Sequence, residues 1–169
     1  MSKNQGTVFA VCKKSEPDVP KPRVDEINLI EDFGVEGDYH AGKTVRHRYL
    51  AKKDPLQPNH RQVLITDTTL FADVAQQGIT LEPGWLGENL VLDGVSVMAL
   101  PVGTQIAIGD AVLELTEVRD PCNQLNACHP GILKAVVIKE ENEVRFNSGM
   151  LARVLSSGPV RPGDAVRVL

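Results

Sequence analysis

The chain is poor in aromatic residues, in cysteine and in positive charge. Phe, Trp and Tyr make up 4% of its 169 residues, which argues against a surface that binds nucleic acids by stacking on bases. The formal net charge of −4 lacks the basic excess of a dedicated nucleic-acid binder. The three cysteines are too few for a disulfide framework. We therefore expect no nucleic-acid partner and a reducing, cytoplasmic location.

Long apolar runs and several familiar motifs are also missing. No window approaches the ~20 apolar residues of a membrane-spanning helix, and the N-terminal stretch has no signal-peptide cleavage site. The patterns G-x-S-x-G, H-E-x-x-H and G-x-G-x-x-G do not occur, so serine hydrolases, zinc proteases and dinucleotide-binding proteins have no support. The sequence predicts no membrane partner.

What the sequence does contain is a series of short apolar runs separated by Gly, Pro or Asp. Strands are predicted at residues 6–12, 27–33, 61–66, 88–92, 95–100, 104–108 and 111–118 and in the segment that ends at Leu169, with a tight hairpin at Gly109-Asp110. A helix is predicted after Asp67 as N-cap, with Gly78 as its stop, and a second, short one at residues 131–135. Many strands with a helix or two indicate a barrel or a sandwich.

Charge is distributed unevenly along the chain. Residues 43–61, called the basic segment below, hold six Lys or Arg and one acid, a net charge of +5, so the rest carries −9 of the total of −4. Such a stretch is typical of a solvated loop or of an anion-binding site, and both interpretations stay open.

Residues 37–44 (GDYHAGKT) fit the phosphate-binding pattern G-x-x-x-x-G-K-[ST]. That chemistry requires a helix that starts at the final Thr, and the sequence after Thr44 has little apolar face with which such a helix could pack. A nucleotide-binding protein that uses this loop is therefore kept as a remote alternative.

Cys122 is the cysteine with the most suggestive surroundings. Cys12 lies in an apolar run and is expected to be a buried small hydrophobe, whereas Cys122 and Cys128 follow a strand in the polar stretch RDPCNQLNACHP. Their C-x5-C-H spacing is not a standard zinc pattern. Arg119 precedes Cys122 by three residues and would favour the thiolate, which binds soft metals or attacks sulfur, although an ordinary loop cysteine is the alternative.

Five segments in order resemble the MOSC domain family, named for the C-terminal domain of molybdenum-cofactor sulfurases. They are residues 34–42 (GVEGDYHAG), 61–65 (RQVLI), 87–95 (GENLVLDGV), 100–125 (LPVGTQIAIGDAVLELTEVRDPCNQL) and 149–169 (GMLARVLSSGPVRPGDAVRVL). The resemblance is to the small standalone bacterial form. It implies a single domain over residues 1–169 that is mostly β, a closed or semi-closed barrel with one or two short helices.

The resemblance also implies a molybdenum-cofactor (molybdopterin) site. Cys122 matches the family's cysteine and would be the catalytic residue, either as the molybdenum ligand or as a sulfur carrier. The cofactor-binding positions are predicted to be His40, Arg61, Asn89, Arg119 and Asn123. From residue type, the imidazole and the guanidinium groups suit phosphate or pterin oxygens.

Two activities follow as expectations from this resemblance. In the first, an electron-donor reductase supplies the electrons with which the protein reduces N-hydroxylated compounds. In the second, Cys122 accepts a persulfide from a cysteine desulfurase and passes the sulfur on for the assembly of the cofactor or of a metal–sulfur cluster. The protein would thus be a molybdenum-dependent oxidoreductase or a sulfurtransferase, with the basic segment as an anion-binding rim. Tyr39 stands where the resemblance leads us to expect a basic or small residue, and Cys128 and His129 match no feature of the family.

Overall fold

The computed structural model describes residues 4–169, and within this range the chain forms thirteen strands and three short helices. The strands are β1 Gln5–Cys12, β2 Arg23–Val24, β3 Ile27–Ile30, β4 Gly34–Val35, β5 Val63–Asp67, β6 Leu90–Asp93, β7 Gln105–Ile108, β8 Ala111–Val118, β9 Val137–Glu140, β10 Glu143–Phe146, β11 Met150–Ser156, β12 Gly158–Val160 and β13 Ala165–Val168. The helices are α1 Arg48–Lys53, α2 Thr68–Ala75 and α3 Ile132–Val136. No helix among these residues has the length and apolar character needed to cross a membrane.

Seven strands close into a barrel. Their order is β13, β7, β8, β11, β5, β6 and β1, and β1 pairs back with β13. Only β5 and β6 run parallel; the other neighbours are antiparallel. The predicted Gly109-Asp110 hairpin joins β7 to β8, with Ile108 opposite Ala111. The prediction of a mostly β, closed barrel is confirmed.

Several local elements differ from the predictions. The predicted strand at residues 95–100 is wrong, because Val97–Ala99 form a 3-10 helix that buries Val97 without sheet pairing. Strand β11 was not predicted, although it pairs with both β5 and β8 and is therefore essential to closure. Helix α1 was not predicted either, because it buries none of its residues and so shows no amphipathic pattern.

Two apolar cores hold these elements together. One fills the barrel, and the other packs α2 and α3 on its outside. Leu70 and Val74 of α2 and Ile132 of α3 belong to this outer core, and so does Leu125 of a second 3-10 helix, Asn123–Ala127. The outer core therefore fixes the polar stretch that carries Cys122.

Asp67 connects α2 to the barrel, and replacing it should be costly. Its buried carboxylate accepts hydrogen bonds from the backbone N–H groups of Leu70 and Val97, both at 2.8 Å. We expect Asp67→Ala to lower the free energy of unfolding by about 2–4 kcal/mol, since it removes a helix cap and leaves a buried N–H unpaired. Urea unfolding would measure this. Asp73→Ala, an exposed acid on the same helix, is the control, and an equal loss in both variants would contradict the prediction.

Candidate functional site

A cavity of about 350 Å³ lies beside the barrel where several loops converge. Its wall combines the loop after β1, the turn after β4, the start of α1, the residues around the starts of β5 and β6, and the segment after β8. The predicted site residues that line it are His40, Arg61, Asn89, Arg119 and Cys122. Asn123 is exposed and lies outside this lining, where its neighbour Gln124 takes part instead.

Cys122 stands at the start of the 3-10 helix Asn123–Ala127, and its side chain is exposed. Its carbonyl accepts a hydrogen bond from the Leu125 N–H at 3.2 Å, and Leu125 is fully buried in the outer core. A buried leucine three residues away thus holds an exposed thiol at the cavity wall. Arg119, three residues earlier in the chain, lines the same cavity.

Arg119 has a fixed backbone and a guanidinium with unused donors. Its N–H donates to the Gly149 carbonyl at 2.9 Å, and its own carbonyl accepts from Ser148 Oγ at 2.6 Å. Gly149 has φ +102°, and a Cβ there would meet the Ile65 carbonyl at 2.8 Å, so the turn requires glycine. Among the described residues, the guanidinium makes one long hydrogen bond, to the Ser148 carbonyl at 3.4 Å. Most of its donors remain available to a ligand in the cavity.

Arg61 is engaged differently. Nη1 donates to Glu117 Oε1 at 2.7 Å and Nη2 to Asp120 Oδ1 at 2.9 Å, and the side chain is 12% exposed. Burial works to raise the pKa of Asp120, but the hydrogen bond from Arg61 and the positive charge of Arg61 outweigh it and lower that pKa. Arg61 therefore contributes a guanidinium whose charge is already balanced, and it orients the segment between β8 and Cys122.

Asn89 uses both ends of its side-chain amide within the protein. Nδ2 donates to the Cys12 carbonyl at 3.1 Å, and Oδ1 accepts from the Leu64 N–H at 3.2 Å. The amide thereby connects β1, β6 and β5 at the cavity wall. Its second Nδ2 proton is the part left for a ligand.

The cavity wall includes a buried ion pair that the sequence did not reveal. Lys21 is 2% exposed, and its Nζ contacts Asp38 Oδ1 at 2.9 Å and Oδ2 at 3.0 Å. The same Nζ lies 3.3 Å from His40 Nδ1. Lysine is almost never fully buried without a partner, and nothing in the proline-rich loop around Lys21 signals that it would be. We call Lys21, Asp38 and His40 the Lys–Asp–His cluster.

Burial and neighbouring charges have opposing effects on the pKa values within the Lys–Asp–His cluster. Burial works to raise the pKa of Asp38, yet the contacts with His40 and the charge and hydrogen bonds of Lys21 outweigh it and hold that pKa well below its usual range. Burial lowers the pKa of His40; Asp38 opposes this, whereas the positive charge of Lys21 lowers it further. Burial also lowers the pKa of Lys21, and the charge of Asp38 and its hydrogen bond to Nζ oppose this. Two carboxylate oxygens within 3.0 Å of Nζ favour the charged pair of ammonium and carboxylate, beside an imidazole whose lowered pKa favours its neutral form.

The basic segment reaches the cavity through His47, Tyr49 and Arg61, whereas its other basic side chains do not line it. His47 and Tyr49 line the cavity, and Tyr49 is 69% exposed on α1. His47 Nδ1 is buried and has no hydrogen-bond partner among the described residues. Burial, and secondarily the charge of Arg61, lower the pKa of His47. An orphaned polar atom at a cavity wall indicates a position where a ligand or water completes the site.

Residues 37–44, which fit the phosphate-binding pattern in sequence, do not form a phosphate-binding loop. Thr44 does not begin a helix; it forms an isolated bridge with Pro58, and α1 starts only at Arg48. Residues 37–44 therefore lack the strand–loop–helix geometry of a phosphate-binding loop.

Cys12 is fully buried as expected, and burial raises the pKa of its thiol to about 12. The described residues contain no cluster of three or more His, Cys, Asp or Glu side chains arranged to hold a metal ion.

Solved structures of other proteins share this fold. The YuaD protein of Bacillus subtilis superposes with a TM-score of 0.80 at 20% identity, over 97% of this chain and 95% of that one. YiiM from Geobacillus stearothermophilus gives a TM-score of 0.66 at 18% identity, covering 98% of this chain and 75% of that one. YiiM from Escherichia coli gives 0.62 at 19% identity, over 96% and 69%. No curated protein matches the chain. The MOSC domain matches residues 36–167, which include His40, Arg119 and Cys122, and the chain therefore belongs to the MOSC domain family.

Proposed function

We propose that this MOSC-family protein binds the molybdenum cofactor in the cavity, with the Cys122 sulfur as molybdenum ligand, and reduces N-hydroxylated compounds. One observation carries the proposal. The exposed thiol of Cys122 stands at the wall of a cavity of about 350 Å³ together with Arg119, whose guanidinium donors are mostly unused by the protein. A soft sulfur ligand next to a cation suits a metal that carries an anionic organic chelator.

The chemistry of the wall fits such a group. The cavity volume lies within the range of about 300–1,000 Å³ that is usual for sites of small organic molecules. Arg119 offers free N–H donors to phosphate or pterin oxygens, and the buried, unpartnered Nδ1 of His47 offers a further polar contact. The cavity wall therefore offers both hydrogen-bond donors and a positive charge, which are the groups that the pterin and its phosphate require.

When bound, the cofactor supplies a metal that changes oxidation state and exchanges an oxygen atom with the substrate. The residues of the chain hold and orient it. Cys122 would bind the metal through its thiolate, Arg119 would bind anionic oxygens, and Arg61 with its two carboxylates would keep the loop of Cys122 in place. The exposed side of Cys122 leaves room for substrate.

The overall reaction balances when a partner supplies electrons. Breaking the N–O bond of an N-hydroxylated base consumes two electrons and two protons and yields the amine and water. We propose that an electron-donor protein delivers the electrons and that the protons come from solvent through the open mouth near Tyr49, which is 69% exposed. The three free cysteines fit a reducing compartment such as the cytoplasm.

Cofactor content and activity test this proposal together. Protein produced in a host that makes the molybdenum cofactor is expected to carry close to stoichiometric molybdenum, by elemental analysis, and pterin, by fluorescence of the released cofactor. With a reduced viologen dye as electron source it should convert an N-hydroxylated purine to the amine. Protein that acquires neither molybdenum nor pterin, in the cell or by reconstitution, would overturn the proposal.

A sulfur-carrier function is the second candidate, and the exposure of Cys122 favours it independently. Here the Cys122 thiolate attacks the outer sulfur of a desulfurase persulfide, a new S–S bond forms, and the desulfurase thiolate leaves. Incubation with a cysteine desulfurase and cysteine should make the chain one sulfur atom heavier, with the addition mapped to Cys122 by mass spectrometry. Full molybdenum occupancy with no such adduct would reject this candidate.

A further inference from the structure

His40 lines the cavity, and the groups around its imidazole determine which ring nitrogen carries the proton. Lys21 has three N–H donors, and three acceptor atoms surround its Nζ: Asp38 Oδ1 at 2.9 Å, Asp38 Oδ2 at 3.0 Å and His40 Nδ1 at 3.3 Å. An ammonium can donate but cannot accept. Its contact with His40 is therefore a hydrogen bond only when Nδ1 carries no proton.

The charge of Asp38 attracts a proton to His40, but the Asp38 oxygens are occupied by other donors and are not placed to accept a hydrogen bond from Nδ1. Its Oδ1 already accepts from the Lys14 N–H at 3.1 Å and from Lys21, and its Oδ2 accepts from the His40 backbone N–H at 3.1 Å and from Lys21. The distance from Oδ2 to His40 Nδ1 is 3.7 Å, which is too long for a hydrogen bond. A proton on Nδ1 would thus face the Lys21 ammonium and lack an acceptor.

The geometry points to Lys21 as a positioning residue that holds His40 in the neutral form protonated on Nε2, so that His40 presents a fixed hydrogen-bond donor to the cavity. The imidazole lines the cavity with its side chain 33% exposed, and Nε2 has no partner among the described residues. Tyr39 holds the ring in place by an edge-on contact, with ring centroids 5.2 Å apart.

The chemical consequence is a specificity for the bound group. The atom that faces His40 must be an oxygen or nitrogen with a free lone pair, such as a phosphate, carbonyl, hydroxyl or metal-bound oxygen, and cannot be a group that only donates. His40 cannot serve as general base toward the cavity, because its unprotonated nitrogen points at Lys21. The identity of the ligand rests on the proposed function, but the protonation state of His40 does not.

Long-range ¹H–¹⁵N correlation spectra of the apoprotein test this directly, with His40→Asn to assign the signals among the four histidines. We expect His40 to show a protonated Nε2 and an unprotonated Nδ1 that do not change around neutral pH. Lys13→Met, which removes a partly exposed lysine whose Nζ donates to the Glu36 carbonyl at 3.4 Å, should keep that pattern. In Lys21→Met, a proton should move onto Nδ1, toward Asp38.

The double variant Lys21→Met/Asp38→Asn removes both buried charges and guards against a single variant that does not fold. In this double variant, residues 21 and 38 carry no charge that favours one tautomer of His40, and we expect the wild-type protonation of Nε2 alone to be lost. A wild-type His40 that is protonated on Nδ1 or is cationic at neutral pH would overturn the inference, and so would a pattern unaffected by loss of Lys21. A chain that binds no pterin would refute the proposed function and leave this result standing.

Discussion

Replacing Cys122 by serine is expected to abolish reduction of N-hydroxylated compounds and to release molybdenum from the protein. Loss of groups that only support a metal ligand costs roughly 10–100-fold in affinity or activity, so loss of the ligand itself should cost at least about 100-fold in kcat/KM. Serine keeps the size of the side chain but replaces a soft thiolate by a hydroxyl that stays protonated. Activity with the viologen dye, together with elemental analysis, would measure the effect.

Cys128→Ser is the matched control for that experiment. Cys128 lies at the other end of the same 3-10 helix and packs partly against the outer core. Burial raises the pKa of its thiol, which disfavours the reactive thiolate. We expect this variant to retain molybdenum and activity. Full activity in Cys122→Ser would exclude Cys122 as ligand, and equal losses in both variants would indicate damage to the helix.

Local features of the sequence predict that Cys122 follows a strand and lies near Arg119, whereas its assignment to a cofactor site is what the resemblance to the MOSC family implies. The alternating strand that becomes β8, the polar turn after it and the short spacing from Arg119 to Cys122 are all local, and local patterns are what a sequence reports most directly. The N-cap at Asp67 is local too, and the structure shows the expected hydrogen bond to the Leu70 N–H. Predictions of this kind needed no knowledge of the partners across the barrel.

Contacts between distant segments could not be predicted in the same way. Lys21 and Asp38 are 17 residues apart, and Arg61 is 56 residues from Glu117. Each pair depends on how the barrel closes, and a charged residue in isolation is expected to lie in solvent. Asn123, also predicted to bind the cofactor, is exposed and does not line the cavity, although its neighbour Cys122 does.

The buried pair between Lys21 and Asp38 should dominate the stability of the cavity wall. We expect Lys21→Met to lower the free energy of unfolding by about 3–5 kcal/mol at neutral pH, because it leaves the carboxylate of Asp38 buried without its counter-charge. Methionine retains most of the apolar volume, so a cavity contributes little to this loss. Urea unfolding would measure the effect, with Lys13→Met as the control for removal of a partly exposed lysine that has no carboxylate partner among the described residues.

The double variant and the pH dependence identify the unpaired charge as the cause. Lys21→Met/Asp38→Asn should recover much of the lost free energy of unfolding, since this double variant buries no charge.

In the wild type, the lowered pKa of Asp38 means that its contribution to stability is present above the ordinary aspartate pKa of about 3.9 and is lost as the pH falls toward the folded-state value. In Lys21→Met the same carboxyl is buried without a cation, so its pKa rises and acid favours the folded variant. The stability difference between wild type and Lys21→Met should therefore narrow from about pH 7 toward about pH 4, whereas a packing defect would leave it constant.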